Sequence, residues 1–300
     1  GVVVHRLPAE LGGKHLLRES HADGRGDALP EPRLPRVPDW SPAERLAEEF
    51  KLNTGTWVRA AGLRLELLGK LKGLAQDIVI TGADDDGFDT DTGWRGGAQF
   101  GIVTQRAPGS TSRSAGFEFS AAPTSVPLAS RYVSRPQIAN WTLVGRNSPS
   151  DAHTVAHFDS GTDATIINSV FTSVAGSLAG CMAINDADTA TSGVTFRSVF
   201  MSCTLPYRPA NAVLSAAAFT AGTNNTANGT STLTAPAAGT TLTNQVLTFI
   251  NGANENAVTP VAAATVYPFF QNTTYIGAVQ NAADTWWQGW TCGLTAGATC

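Results

Sequence analysis

Beyond Lys72 this 300-residue chain has no lysine, and before Cys181 it has no cysteine. The first absence removes any late catalytic lysine and any basic block past residue 81. With a formal charge of only -4, the chain lacks the electrostatic footprint of a nucleic-acid binder, so DNA and RNA are not expected partners. No stretch approaches the roughly 20 consecutive apolar residues that a membrane-spanning helix needs, so no transmembrane helix is expected. The first residue is Gly1 and no charged segment leads into an apolar run, so any signal peptide is expected to have been removed already. Zinc-type CxxC spacing is absent as well.

What is present divides near residue 81. The hydrophobic content of 42% is that of a core-forming protein. Residues 1–42 carry Pro30, Pro32, Pro35, Pro38 and Pro42 among scattered charges and read as a linker or poorly ordered segment. Residues 43–80 read as a short α/β fragment. Ser41, Pro42 and Glu44 form a helix start over Ala43 to Phe50, and Thr56 to Arg59 is a strand. Leu63, Leu67, Leu71 and Leu74 recur at helical spacing, and Gln76 to Thr81 is a buried strand.

The run from Glu48 to Val58, with Gly62 to Arg64 and Leu74 to Ile80, resembles the hinge and first C-terminal-domain elements of AMP-forming acyl-CoA synthetases of the feruloyl-CoA type. The resemblance covers about residues 44–82 and implies a hinge position at Lys51. Ligase chemistry also needs an upstream phosphate loop and a downstream lysine. Neither is in this chain, so the fragment reads as a gene fusion, a remnant or a mis-assembled reading frame, without ligase activity.

Residues 81–300 are repetitive. The hexamers 168–173 and 197–202 align at a spacing of 29 residues, and Asn140 to Val144 lies about one more step back. Short β-branched runs such as Phe100 to Thr104, Ile138 to Leu143 and Thr165 to Asn168 are separated by Gly, Asn, Asp, Ser and Pro. Helical patterns are nearly absent, which disfavours an α/β sheet and favours strands stacked coil on coil. The expected fold is a mainly β, right-handed parallel β-helix, with a β-sandwich as the alternative. Cys181 and Cys203 would bridge neighbouring coils and Cys292 and Cys300 would close the tail, two disulfides suited to an oxidising compartment; four thiols are the alternative. The tryptophans of Asp284 to Trp290 read as a hydrophobic cap on the last coil or as a sugar-stacking platform.

The densest motif is Gly82 to Arg95, which holds Asp84, Asp85, Asp86, Asp89 and Asp91. In extended chain Asp84 and Asp86 share one face, and Asp89 and Asp91 form a second pair. Such a cluster suits a hard cation, Ca²⁺ above all, although the spacing is not that of an EF-hand. A solvated Asp/Gly turn is the alternative reading. His153 and His157 stand four apart, but without the helix and glutamate of a metalloprotease they are not expected to hold metal.

The run Thr81 to Gly96, with Ala98 to Phe100, Arg135 to Leu143 and Phe196 to Phe200, resembles bacterial secreted or surface proteins, often lipoproteins, that form parallel β-helices. The resemblance implies that fold and a secreted or cell-surface location, outer-membrane or extracellular. The favoured function is a non-catalytic structural or ligand-binding role, with a polysaccharide or cell-surface glycan as partner. The rival is a Ca-dependent polysaccharide lyase, with Arg95 or Arg113 as base, or a glycoside hydrolase using Asp85 and Asp89.

Overall fold

The computed structural model describes residues 2–4, 65–68, 74–83, 86–91, 93–105, 115–121, 125–236, 241–242, 245–246, 248–288, 291 and 294. The expected linker, the helix over Ala43 to Phe50, the strand over Thr56 to Arg59, and Cys292 and Cys300 lie outside these residues.

Among the described residues the strands form a small two-stranded sheet, Thr241–Leu242 with Gln245–Val246, and two six-stranded ones. One runs β1 (Val2–Val4), β3 (Leu74–Thr81), β5 (Gly97–Thr104), β7 (Gln137–Gly145), β9 (Thr165–Ser173) and β11 (Thr195–Ser202). The other runs β2 (Leu65–Leu68), β4 (Phe88–Asp91), β6 (Phe117–Phe119), β8 (Thr154–Phe158), β10 (Gly180–Ile184) and β12 (Leu205–Tyr207). The chain alternates between the sheets, and every pairing from β2 to β12 is parallel, so each successive coil stacks on the one before: a parallel β-helix. Within the two large sheets, among the described residues, β1 alone pairs antiparallel, against β3.

Two sequence expectations change here. The leucines read as a helix from Leu63 to Leu74 instead place Leu65–Leu68 in a strand beside β4, and Leu74 opens β3. Stacking against the next coil outweighs a helical leucine spacing, which is a weak preference. The solenoid therefore begins before residue 81. The 29-residue register also shifts: Ala139 pairs with Ile167 and Ile167 with Arg197, steps of 28 and 30 residues.

A corner recurs within strands β3 to β11 of the first sheet and again at Asn224. Asp77, Phe100, Asn140, Asn168, Ser198 and Asn224 all have positive φ, between 49° and 62°. A left-handed residue between extended segments turns the chain and breaks side-chain alternation. Thus Ile138, Trp141 and Leu143 point inward, whereas Ala139 and Asn140, adjacent in sequence, both face out. The same corner recurs at Ile167 with Asn168 and at Arg197 with Ser198. Aligning Asn168 with Arg197, as sequence similarity suggests, is one residue off.

The core is a stack of aromatics threading the coils. Phe88 meets Trp141 at 4.8 Å between ring centres, and Phe119, Phe158, Phe196 and Phe219 follow at 5.5–5.6 Å. Gly101 is where the backbone must yield to Trp141, since a Cβ there would lie 2.0 Å from the indole. Two helices replace turns in the later coils: α1 (Ala187–Ser192), capped by Asp186, and α2 (Ala212–Ala221), whose Phe219 closes the end of the core. Cys181 and Cys203 form a disulfide joining β10 to the turn into β12.

The outer side of the cornered sheet is covered by the chain's own C-terminal part. Gln99 exchanges hydrogen bonds with the backbone of Gln271 at 2.7 Å. Asn168 donates to Val261 O and accepts from Val261 N, and Ser198 donates to Thr259 O. Where the sequence reading expected a cap on the last coil, Trp287 instead packs on Phe249, Val79, Ile102 and Val144, against the flank of the early coils. At 1% exposure it offers no face for a sugar.

Candidate functional site

The outer side of the second sheet carries rows of titratable side chains. On β4, β6 and β8 the aromatic side chains Phe88, Phe117, Phe119 and Phe158 point into the core, which leaves the alternate residues to the outside. Parallel pairing then lines them up: Asp89 stands beside Glu118, and Glu118 beside His157. Two residues further along lies a second row of Asp91, Ser120 and Asp159. Here Ser120 Oγ donates to Asp91 at 2.9 Å, and the backbone of Asp159 donates to Phe119 O.

Asp86 joins the first row from just before the strand. Its Oδ1 accepts a 2.6 Å hydrogen bond from Ala115 N, and Gly87 passes directly under Gly116 O, where a Cβ would lie 2.6 Å away. Carboxylate oxygens of Asp86, Asp89 and Glu118 come within 4.8 Å of one another, with Asp86 and Asp89 buried. Two like charges at that distance repel by on the order of 3 kcal/mol at an effective dielectric near 20. Oxygen-only donors this close match the coordination of a hard cation.

Beside Asp86 sit Arg146 and His153. Buried Arg146 contacts His153, donating from Nη2 to Nδ1. Burial pushes the Arg146 guanidinium below its ordinary value, and Asp86 opposes that shift. His153 is lowered by burial first and then by Arg146 and Arg208, which suits the neutral ring needed to accept from Arg146. On the opposite side the groove opens into a cavity of about 300 Å³ between Asp89, Glu118, Asp91 and Asp159, with Ser120 and Ser160 at its wall.

Of the five aspartates read as a metal cluster, Asp86 and Asp89 come together, Asp91 lies in the adjoining row, and Asp84 and Asp85 lie outside the described residues. So does Arg113, whereas Arg95 is exposed on the turn after β4, where its charge acts on Asp163. Sequence reading missed Glu118, Asp159, Arg146 and His157's place in the row. Glu118 sits alone between two core phenylalanines, and only the stacking of coils brings it to Asp89.

Fold and groove together define a parallel β-helix with a carboxylate-lined cleft along one sheet. Residues 73–291 match the family described as the pectate-lyase-like beta helix domain, and the chain belongs to that family. No curated protein and no solved structure matches the chain.

Proposed function

We propose that the groove binds an acidic polysaccharide through a divalent cation held by Asp86, Asp89 and Glu118. The observation that carries this reading is the approach of three carboxylates to within 4.8 Å on the outer side of a pectate-lyase-like β-helix, beside a cavity that Asp89 and Glu118 line. Calcium suits the donor set best, since it takes six to eight oxygens and leaves positions for water and for ligand oxygens. The cation, when bound, supplies the positive charge that lets a uronate carboxylate enter a cleft of like sign. The Cys181–Cys203 disulfide supports a secreted or cell-surface setting.

The test is the purified protein with polygalacturonate, in calcium and then in chelator. Calcium-dependent retention on the polymer, abolished in Asp89→Asn, supports the reading; retention indifferent to chelator overturns it.

A second reading, cleavage by β-elimination, is favoured by the Arg146–His153 pair beside Asp86. Arg146, whose hold on its proton is weakened by burial, would first release that proton to solvent and then, as the neutral base, take the proton α to the uronate carboxylate. The electron pair then forms the new C=C bond as the glycosidic C–O bond breaks, and the leaving oxygen gains a proton from water. Accumulation of unsaturated ends, absorbing in the ultraviolet and lost in Arg146→Lys, is the expected outcome; their absence leaves binding alone.

A further inference from the structure

The turns that leave the second sheet carry charge of the opposite sign to the groove. Arg95 lies on the turn after β4, and Arg135 stands beside it on the next coil, where its N–H donates to Trp94 O at 2.7 Å. One coil further on, the Asp163 N–H donates to Ser134 O at 2.8 Å, and its Oδ2 pairs with Arg135 Nε at 3.0 Å. Burial pushes the Asp163 carboxyl up, and Arg135 and then Arg95 oppose that shift, so two guanidiniums act on one carboxylate. Arg95 itself is exposed and forms no ion pair among the described residues. The group keeps a surplus positive charge in a chain whose formal net charge is -4.

Tyr132 stands beside this group. Gly93, with φ of 92°, passes under it so closely that an added Cβ would lie 3.0 Å from the Cβ of Tyr132. The Gly93 N–H donates to Ser134 Oγ at 2.9 Å, which ties the turn after β4 to the segment carrying Tyr132 and Arg135. Tyr132 is 53% exposed, whereas Gly93, Trp94, Ser134 and Pro136 around it are buried. An aromatic ring held out from a packed footing beside a surplus guanidinium suits an anionic sugar. The ring meets the apolar face of a pyranose, and the planar guanidinium meets a carboxylate.

The geometry points to a second glycan contact at Arg95, Arg135 and Tyr132, which takes one uronate ring of a chain held elsewhere at the cation cluster. Six residues separate Asp89 from Arg95, at most about 20 Å of extended chain, so one polymer can touch both places. Linked contacts raise the affinity of a chain that spans them without altering either one. The preferred ligand is therefore a run of uronates rather than a single one. This rests on the acidic-polysaccharide reading for the class of ligand, but the contact uses none of the residues that hold the cation.

The experiment titrates galacturonate disaccharide and polygalacturonate into the wild type, Arg95→Gln and Tyr132→Ala by calorimetry in calcium, with circular dichroism to verify folding. In chelator a single surplus guanidinium gives a contact too weak for retention on the polymer, so there it is followed by NMR of the Tyr132 ring and Arg95 Nε–H at low salt. Both variants are expected to bind polygalacturonate about tenfold more weakly in calcium. Disaccharide binding and the calcium-induced rise in melting temperature should stay unchanged, and the wild-type Tyr132 and Arg95 signals should shift with polymer in chelator. Polymer affinity unchanged in both variants, or signals that do not move, overturns the contact and leaves the cation reading intact. Signals that shift in chelator while calcium adds nothing to affinity overturn the cation reading and leave the contact standing.

Discussion

Glu118 shows how a functional residue hides in a sequence. Its tripeptide, Phe117-Glu-Phe119, signals only strand alternation, and 29 residues separate it from Asp89, its neighbour in the sheet. The aspartate run before β4 was legible as an acidic cluster because its members are close in sequence; the partner from the next coil was not. Glu118→Gln is expected to weaken calcium binding at least tenfold by calorimetry, while the metal-free protein melts no lower, because one repelling charge has gone. His153 gives a pH prediction at the same scale. Its folded value lies below the ordinary 6.5, so above that value it is neutral in both states and costs nothing. As pH falls below 6.5 the unfolded chain takes up the proton first, and stability falls. Urea denaturation between pH 8 and 5 is expected to show this decline, and His153→Gln to flatten it.

Corners within strands are the level at which sequence reading slipped by one residue. The repeat of small and β-branched residues was visible, but a left-handed residue reverses the inside and outside positions that follow it, and alternation alone does not reveal it. It also explains why these strands are apolar on both faces: one side meets the core and the other meets the C-terminal strap. Asn168 combines the corner with the strap, holding Val261 by two hydrogen bonds at 2.7 and 2.9 Å. Asn168→Ala is expected to cost about 2–4 kcal/mol in urea unfolding, through those bonds and the strained backbone of a non-Asn residue. The disulfide, closing a separation of 22 residues, is expected to contribute roughly 2–4 kcal/mol, lost in the Cys181→Ser, Cys203→Ser double variant with calcium affinity unchanged.

At the scale of the whole molecule, the coil-stacking fold was legible because few helices, short β-branched runs and a near-regular period leave little else for so long a chain to form. The placement of the tail was not, since three tryptophans near a C-terminus announce burial without saying where. In the proposed reading the two sides of the solenoid have different tasks: the C-terminal part seals the cornered sheet, and the outer face of the other sheet takes the ligand. That division is the central claim, and calcium-dependent glycan binding tests it most directly. The measurement is binding of a panel of acidic polysaccharides to the wild type and Asp89→Asn, in calcium and after chelation, with folding followed by circular dichroism. Binding in calcium that disappears with chelator and with the substitution, in protein that stays folded, is the expected result. Binding that persists through both, or a folded wild type that binds no acidic polysaccharide in calcium, would contradict the account.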